Sequence, residues 1–183
     1  MWLIYEKINL LVVELFMRIL GIDPGIALTG FAIVESGPGG IKAGKYGHIS
    51  TEAGTPAPER LKILYDDMLQ ILEAYTPEVM AIEELFFNKN AKTVMIASQA
   101  RGVIILAAVN CGVDIVEYTP LQVKQAVIGY GRASKQQVQY MVTKLLNLAE
   151  IPKPDDTADA LAIAICHANS ANVLAQEQKL RGK

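Results

Sequence analysis

Short apolar runs alternate with amphipathic stretches along this chain, and Pro or Gly separates most of them. Residues 28–35 and 41–51 flank the turn Gly37-Pro38-Gly39-Gly40, which predicts an antiparallel pair of strands. Residues 79–83 form a short apolar run typical of a buried strand, ending on an acid. The five predicted strands cover residues 19–23, 28–35, 41–51, 79–83 and 114–118.

Helical spacing of apolar residues marks the longer segments between these strands. The segment 59–75 is amphipathic and ends before Thr76-Pro77. Ser134, with Gln137 three residues later, predicts a capping box at the start of another helix. The segment 93–109 is apolar over most of its circumference, so we expect it to be central. The five predicted helices cover residues 59–75, 93–109, 120–127, 134–148 and 155–172.

The order of these elements is three meandering strands followed by alternating helices and strands. This order predicts an α/β protein with a mixed five-stranded sheet flanked by helices. A chain of 183 residues fits one domain of ordinary size. We expect the core domain to cover residues 17–172, between an N-terminal extension at residues 1–16 and a polar tail at residues 173–183.

The first sixteen residues are apolar but interrupted by Glu6, Lys7 and Glu14. They are fewer than the roughly 20 apolar residues that a membrane span needs, and they lack the basic start and cleavage site of a signal peptide. We therefore expect no membrane partner, and we expect that a chain beginning at Met17 would fold without them.

The amino-acid composition limits the classes of function that this chain could have. Cys111 and Cys166 have apolar neighbours and no metal-ligand spacing, which indicates reduced, buried thiols in a cytoplasmic protein. Two histidines argue against a zinc site. The net charge is −2, yet residues 85–147 hold seven basic and two acidic residues, which suits either a nucleic-acid-binding face or a solvated mixed surface. The basic residues in this span are Lys89, Lys92, Arg101, Lys124, Arg132, Lys135 and Lys144.

Four carboxylates stand where they could converge. Asp23 ends the first predicted strand, just before a sharp turn. Glu83 ends the strand 79–83, and the period of two places Glu84 on the opposite face. Asp156 and Asp159 are three residues apart and therefore share one face of the last helix. Acids at a helix start also stabilise the helix through its dipole, so their spacing alone leaves both explanations open.

Asp155 is expected to cap the last helix, which leaves Asp159 at the margin of an apolar helix, where an acid needs a partner. Acids brought together repel one another unless a cation lies between them. Oxygen ligands without His or Cys favour Mg²⁺ or Mn²⁺. Two such ions roughly 4 Å apart can activate water and stabilise the leaving oxygen in phosphodiester cleavage.

The motifs that carry these residues resemble, in order and spacing, those of RuvC-type Holliday-junction resolvases, over about residues 17–167. The matching motifs are Ile22-Asp23-Pro24-Gly25, Ala81-Ile82-Glu83, Phe86, Lys89-Asn90, Gln99-Ala100-Arg101-Gly102, Gln122-Val123-Lys124-Gln125 and Ala158-Asp159-Ala160-Leu161-Ala162-Ile163-Ala164. The resemblance implies a ribonuclease H-like fold and a homodimer. It implies Mg²⁺-dependent paired nicks in a four-way DNA junction, leaving 5′-phosphate and 3′-hydroxyl ends. It also implies RuvA- and RuvB-type branch-migration partners.

The resemblance assigns roles to individual residues. It implies that the catalytic and metal-binding acids are Asp23, Glu83, Asp156 and Asp159, with two ions per site. Asp156 is preferred to Asp155 because it lies three residues before Asp159. Lys135 is expected to act on the scissile phosphate. The residues expected to contact DNA are Phe86, Lys89, Lys92, Arg101, Lys124 and Lys135.

Two other functions stay open at this point. A junction-binding protein without catalysis would share the basic face but would not need the acids. A sugar-kinase or actin-like ATPase also ends its first strand in an Asp-x-Gly turn, but that class needs a second Gly-rich phosphate loop, which this chain lacks.

Overall fold

A computed structural model describes residues 16–84 and 91–181, without the side chains of residues 91–93 and 172–181. The strands are β1 (Met17–Asp23), β2 (Leu28–Gly37), β3 (Gly40–Ser50), β4 (Val79–Glu83) and β5 (Asp114–Tyr118). The helices are α1 (Ala57–Tyr75), α2 (Ala91–Asn110), α3 (Pro120–Ile128), α4 (Lys135–Leu145) and α5 (Asp155–Arg181).

The strands form one mixed sheet in the order β3-β2-β1-β4-β5, as the sequence predicted. The first three strands are antiparallel, whereas β4 runs parallel to both β1 and β5. This arrangement places the carboxyl ends of β1, β4 and β5 at one edge of the sheet, since parallel strands end on the same side.

Alternating side chains of the central strands supply a core on each face of the sheet. Leu20 and Ile22 of β1 pack with buried residues of α1 and α2. Ile19 packs on the other face, with buried residues of α3, α4 and α5. Both faces of β1 are therefore covered, which fits its continuous apolar sequence.

Helix α5 lies unusually close to β1 and β2, because glycine occupies the contact positions. A Cβ atom at Gly30 would lie 1.9 Å from the main-chain oxygen of Asp156, and one at Gly21 would lie 2.1 Å from that of Ala160. The hydroxyl of Thr157 also donates a hydrogen bond of 3.1 Å to the main-chain oxygen of Gly47. These contacts fix the start of α5 against the sheet.

Helix α2 is not central, contrary to the prediction. Its inner face, which includes Ala100 and Ile104, is buried, whereas Met95, Leu106 and Val109 are exposed. An apolar circumference predicted burial on all sides, but within the described residues the helix packs against the sheet and α1 on one side only.

Three smaller predictions also differ from the structure. Cys111 is exposed, because it lies in the turn after α2, while Cys166 is buried as predicted. Asp155 does not cap α5 but is its first residue, and its carboxylate lies near Lys135 instead. The last helix continues to Arg181 rather than ending near residue 172.

Among the described residues no helix has the length and apolar character to cross a membrane.

Candidate active site

Asp23 and Glu83 stand side by side at one edge of the sheet. Their strands are parallel neighbours, and the last registered pair before the two acids is Ile22 with Ile82. Each acid therefore follows a fully buried residue, and each is itself partly exposed. Glu84, the residue that follows the strand, is exposed. The strand ends thus present two carboxylates from distant parts of the sequence together.

The start of α5 brings the second pair of acids to the same edge. Asp156 lies against β2 through its main-chain contact at Gly30, and Gly30 is paired with Asp23 across the strands. Asp159 follows one turn later and is partly buried. The helix therefore delivers Asp156 and Asp159 to the end of β1, which the sequence predicted only through a shared helix face.

The pKa of Asp23 depends on its burial and on the charges of the other acids. Burial is the main cause that raises the pKa of Asp23 to about 8. The negative charges that add to the rise belong to Glu83, Asp159 and Asp156, whereas Lys135 opposes it. Since like charges disfavour ionisation of one another, the three acids make it harder for Asp23 to lose its proton.

Glu83 and Asp159 respond in the same direction. Burial, with the charge of Asp159, raises the pKa of Glu83 to about 6, while Lys124 and Lys135 lower it. Burial also raises the pKa of Asp159, against the lowering effect of Lys135. These two acids and two lysines therefore form one electrostatically coupled group.

Lys135 is the cation in closest contact with the acids. Its Nζ atom lies 2.9 Å from Oδ2 of Asp159 and 3.5 Å from Oδ2 of Asp155. Burial lowers the pKa of Lys135, but its contacts with Asp159 and Asp155 outweigh that effect and raise it. The lysine stays charged and lies beside one of the predicted metal ligands.

A pocket of about 250 Å³ opens beside these groups. Its charged residues come from β4, α3, α4 and α5, and its remaining wall is apolar. The residues that line it are Glu83, Pro120, Val123, Lys124, Lys135, Val138, Asp159, Ala162 and Ile163. A charged group that entered this pocket would meet both carboxylates and ammonium groups.

The donor chemistry of the site fits a hard divalent cation. The four acids offer only oxygen ligands, which Mg²⁺ and Mn²⁺ prefer. Burial, and after it the neighbouring acids, raise the pKa values of Asp23 and Glu83, and a bound cation would favour the ionised form of both groups. Among the side chains that the structure describes, no three acidic, imidazole or thiol groups form a metal-binding cluster.

The predicted DNA contacts have different positions. Lys124 and Lys135 line the pocket. Arg101 instead has internal partners, the main-chain oxygen of Glu83 and the carboxylate of Glu117. Phe86 and Lys89 lie outside the described residues, and the side chain of Lys92 is likewise outside the described part of the chain.

Sequence reasoning missed three contributions to the site. Gly30 allows the close approach of Asp156, and a glycine inside a strand is a recognised signal of such an approach. Asp155 pairs with Lys135, and Glu117 pairs with Arg101. Neither ion pair has a sequence signal, because its partners belong to different elements. His167 forms a 2.9 Å hydrogen bond with the Tyr118 hydroxyl.

The mixed sheet, its covering helices and its acidic edge define a ribonuclease H-like α/β protein. The family model described as crossover junction endodeoxyribonuclease RuvC matches residues 19–167. A protein of that name from Caldanaerobacter subterraneus subsp. tengcongensis is 60% identical over 158 residues, covering 86% of this chain and 96% of that relative. This chain therefore belongs to the RuvC family of crossover junction endodeoxyribonucleases.

Solved structures agree with this assignment. Thermus thermophilus RuvC superposes with a TM-score of 0.80 at 37% identity, covering 86% of this chain and 96% of that one. Thermus thermophilus RuvC in complex with Holliday junction substrate superposes with a TM-score of 0.79 at 34% identity, with the same coverage.

The raised pKa of Asp23 predicts how stability depends on pH. Its folded pKa of about 8 exceeds the ordinary value, so the folded state binds the extra proton and loses stability as pH rises from about 4 to about 8. In EDTA, we expect the wild type to lose at least about 2 kcal/mol relative to Asp23→Asn over this range, or roughly 4–8 °C in Tm.

Thermal melts of both proteins at pH 5 and pH 8 measure this difference. The comparison with Asp23→Asn is needed because burial lowers the pKa of His167, which acts in the opposite direction. An equal pH dependence in both proteins would show that Asp23 carries no such penalty.

Proposed function

We propose that this chain resolves four-way DNA junctions by paired, metal-dependent nicks that leave 5′-phosphate and 3′-hydroxyl ends. The observation that carries this proposal is the shared position of Asp23 and Glu83 at adjacent strand ends, with coupled charges. Asp156 and Asp159 complete the set that would hold Mg²⁺, or Mn²⁺ in its place. Family membership supplies the class of substrate.

Each acid has a distinct setting in this proposal. Asp23 ends β1 beside the strand that carries Glu83, and the charges of Glu83, Asp159 and Asp156 act on it, so it would hold the cations together with those acids. When bound, two ions would activate water and stabilise the leaving oxygen in phosphodiester cleavage. Glu83 and Asp159 line the pocket, so both would hold a cation that is bound there.

Lys135 and Lys124 supply the positive charge that the phosphate requires. Lys135 lies 2.9 Å from Asp159, so it can reach a phosphate oxygen held next to that carboxylate. Lys124 lines the same pocket. Preorganised cations of this kind stabilise charge that develops in the transition state. We assign Lys135 the catalytic role and both lysines a role in DNA contact.

The substrate also sets the assembly. A four-way junction has approximate two-fold symmetry, and a C2 homodimer would present two equal sites to two strands. We propose Phe86, Lys89 and Lys92 as further DNA contacts, since aromatic side chains can stack on unpaired bases and cations can contact phosphates. RuvA- and RuvB-type proteins are the proposed branch-migration partners, and the bacterial cytoplasm is the proposed location.

One experiment separates this function from its rivals. A synthetic four-way junction and a linear duplex of the same sequence are incubated with the protein in Mg²⁺ or EDTA, with ATP hydrolysis measured in parallel. The proposal predicts symmetric nicks in the junction with Mg²⁺ alone. Binding without nicks would favour the non-catalytic junction-binding protein, and ATP hydrolysis without nicks would favour the ATPase.

Lys135→Ala is expected to slow cleavage by about 100-fold, because it removes a positive charge aimed at the phosphate. The fold should persist, since the lysine side chain is half exposed. Single-turnover cleavage of pre-bound junction measures the effect. Lys144→Ala is the matched control, because Lys144 lies on the same helix with its ammonium group over the Tyr140 ring. Equal rates for the two variants would remove Lys135 from the catalytic set.

A further inference from the structure

Arg101 links helix α2 to the ends of two strands. Its Nε atom donates a 3.3 Å hydrogen bond to the main-chain oxygen of Glu83. Its Nη2 atom lies 2.7 Å from Oε2 of Glu117, in an ion pair that lacks the geometry of a directed hydrogen bond. Only 17% of the arginine side chain is exposed. A guanidinium group in this position spans β4 and β5 at the edge that carries the acids.

The surroundings hold this side chain in place. Ala100 and Ile104, which flank Arg101 on its helix, are fully buried against the sheet. Glu117 lies opposite Ile82 in the register of β4 and β5. An arginine is always charged, and burying that charge requires a nearby acid, which Glu117 supplies. The guanidinium group therefore contacts other groups of the protein and is not directed at solvent.

The contact reaches Glu83 through its backbone. The next residue, Glu84, donates its main-chain N–H to the Tyr118 oxygen at 2.8 Å, so β5 already fixes one side of the strand end. Arg101 fixes the Glu83 carbonyl itself. The cations that act on the Glu83 carboxylate are different ones, Lys124 and Lys135. Arg101 is thus placed to set where the carboxylate stands.

We propose that Arg101 is a positioning residue that fixes the end of β4, so that the Glu83 carboxylate faces Asp23 and Asp159 in the geometry that metal binding and cleavage require. This proposal rests on the proposed function, and it replaces a direct DNA contact as the role of Arg101. Misplacement of a reacting group by about 1 Å can cost up to about 100-fold in rate, so a positioning residue far from the phosphate can matter greatly.

The test compares Arg101→Ala, Arg101→Lys and Glu117→Gln with the wild type. Three quantities are measured, of which the first two are the Kd for Mn²⁺ without DNA and the single-turnover rate of cleavage at a saturating concentration of junction. The Kd for junction is measured over a range of salt concentrations. Arg101→Ala is expected to weaken Mn²⁺ binding and to slow cleavage at least about tenfold, with an unchanged junction Kd and salt dependence. Glu117→Gln should change the first two quantities in the same direction.

A DNA contact would give the opposite pattern. Loss of one phosphate contact would weaken junction binding. It would also reduce the slope of log K for junction binding against log salt concentration by about one, while Mn²⁺ affinity and the cleavage rate at saturation stay normal. That result would overturn the proposal. Arg101→Lys keeps the charge but cannot make both planar contacts, so it tests the proposal even if Arg101→Ala does not fold. It is expected to retain junction binding and to show part of the defect in Mn²⁺ binding and cleavage.

The controls keep this inference separate from the proposed function. A wild-type protein that neither binds Mn²⁺ nor cuts a junction contradicts the proposed function itself. A normal wild type, together with an Arg101→Lys variant that binds Mn²⁺ and cuts at wild-type levels, contradicts only the positioning role. Thermal melts of all variants identify any general loss of folding.

Discussion

Asp23→Asn is expected to reduce cleavage of a four-way junction by at least about 1,000-fold while junction binding persists. The amide keeps the size of the carboxyl group but removes the negative charge that a divalent cation requires. A loss of this size corresponds to about 4 kcal/mol of transition-state stabilisation, which is within what metal-assisted charge stabilisation supplies.

Gel-based cleavage and binding assays on the same junction measure both effects. Asp114→Asn is the matched control, because this exposed aspartate begins β5 at the opposite end of the sheet. It should cut at the wild-type rate. Asp23→Asn should also melt at a higher temperature than the wild type in EDTA at pH 8, because it removes a buried charge that other acids repel. Full cleavage by Asp23→Asn would end the assignment of Asp23 as a metal ligand.

Gly30→Ala is expected to destabilise the protein by about 3 kcal/mol or more and to abolish cleavage. The added Cβ would stand 1.9 Å from the main-chain oxygen of Asp156, and backbone cannot rotate away as a flexible side chain can. The start of α5 would have to shift, taking Asp156 and Asp159 away from Asp23. Overpacking in a rigid core typically costs about 1–3 kcal/mol, and this contact is with backbone.

Denaturant unfolding and junction cleavage together measure this effect. Gly54→Ala is the control, because a Cβ at Gly54 would meet no atom within 4 Å. It should match the wild type in both assays. Wild-type stability and cleavage in Gly30→Ala would show that α5 can move relative to the sheet without loss of function. The close contact between helix and sheet would then not determine the positions of the acids.

Much of the fold followed from local signals in the sequence. Apolar runs bounded by Pro, Gly and acids located all five strands, and the capping residues Thr119 and Ser134 mark the starts of α3 and α4 in the structure. The parallel pairing of β4 with β1 is a long-range property, and the predicted alternation of strands and helices favoured it without fixing the register.

The structure differs from the sequence-based predictions where contacts between distant parts of the chain determine the position of a residue. The apolar circumference of α2 predicted burial, yet Leu106 and Val109 are exposed, because hydropathy does not reveal which side of a helix the same chain covers. Asp155 has the residue type of a cap, but the structure places it inside the helix and near Lys135. Local sequence cannot predict an ion pair between two helices.

The candidate site shows the same division. Strand ends and helix spacing predicted four acids that the structure brings to one edge of the sheet, whereas the close contact of α5 with Gly21 and Gly30 was not predicted. Arg101 shows the limit most clearly. Its charge in a basic span suggested DNA, whereas its partners are Glu83 and Glu117.

The most direct test of the account is the position of Mn²⁺ in crystals of the protein soaked in that ion, measured by anomalous scattering. The account predicts density between the carboxylates of Asp23 and Glu83, with the acids at the start of α5 turned toward it. Mn²⁺ bound elsewhere, with these carboxylates unoccupied at a saturating concentration, would contradict a metal-dependent mechanism at this edge of the sheet.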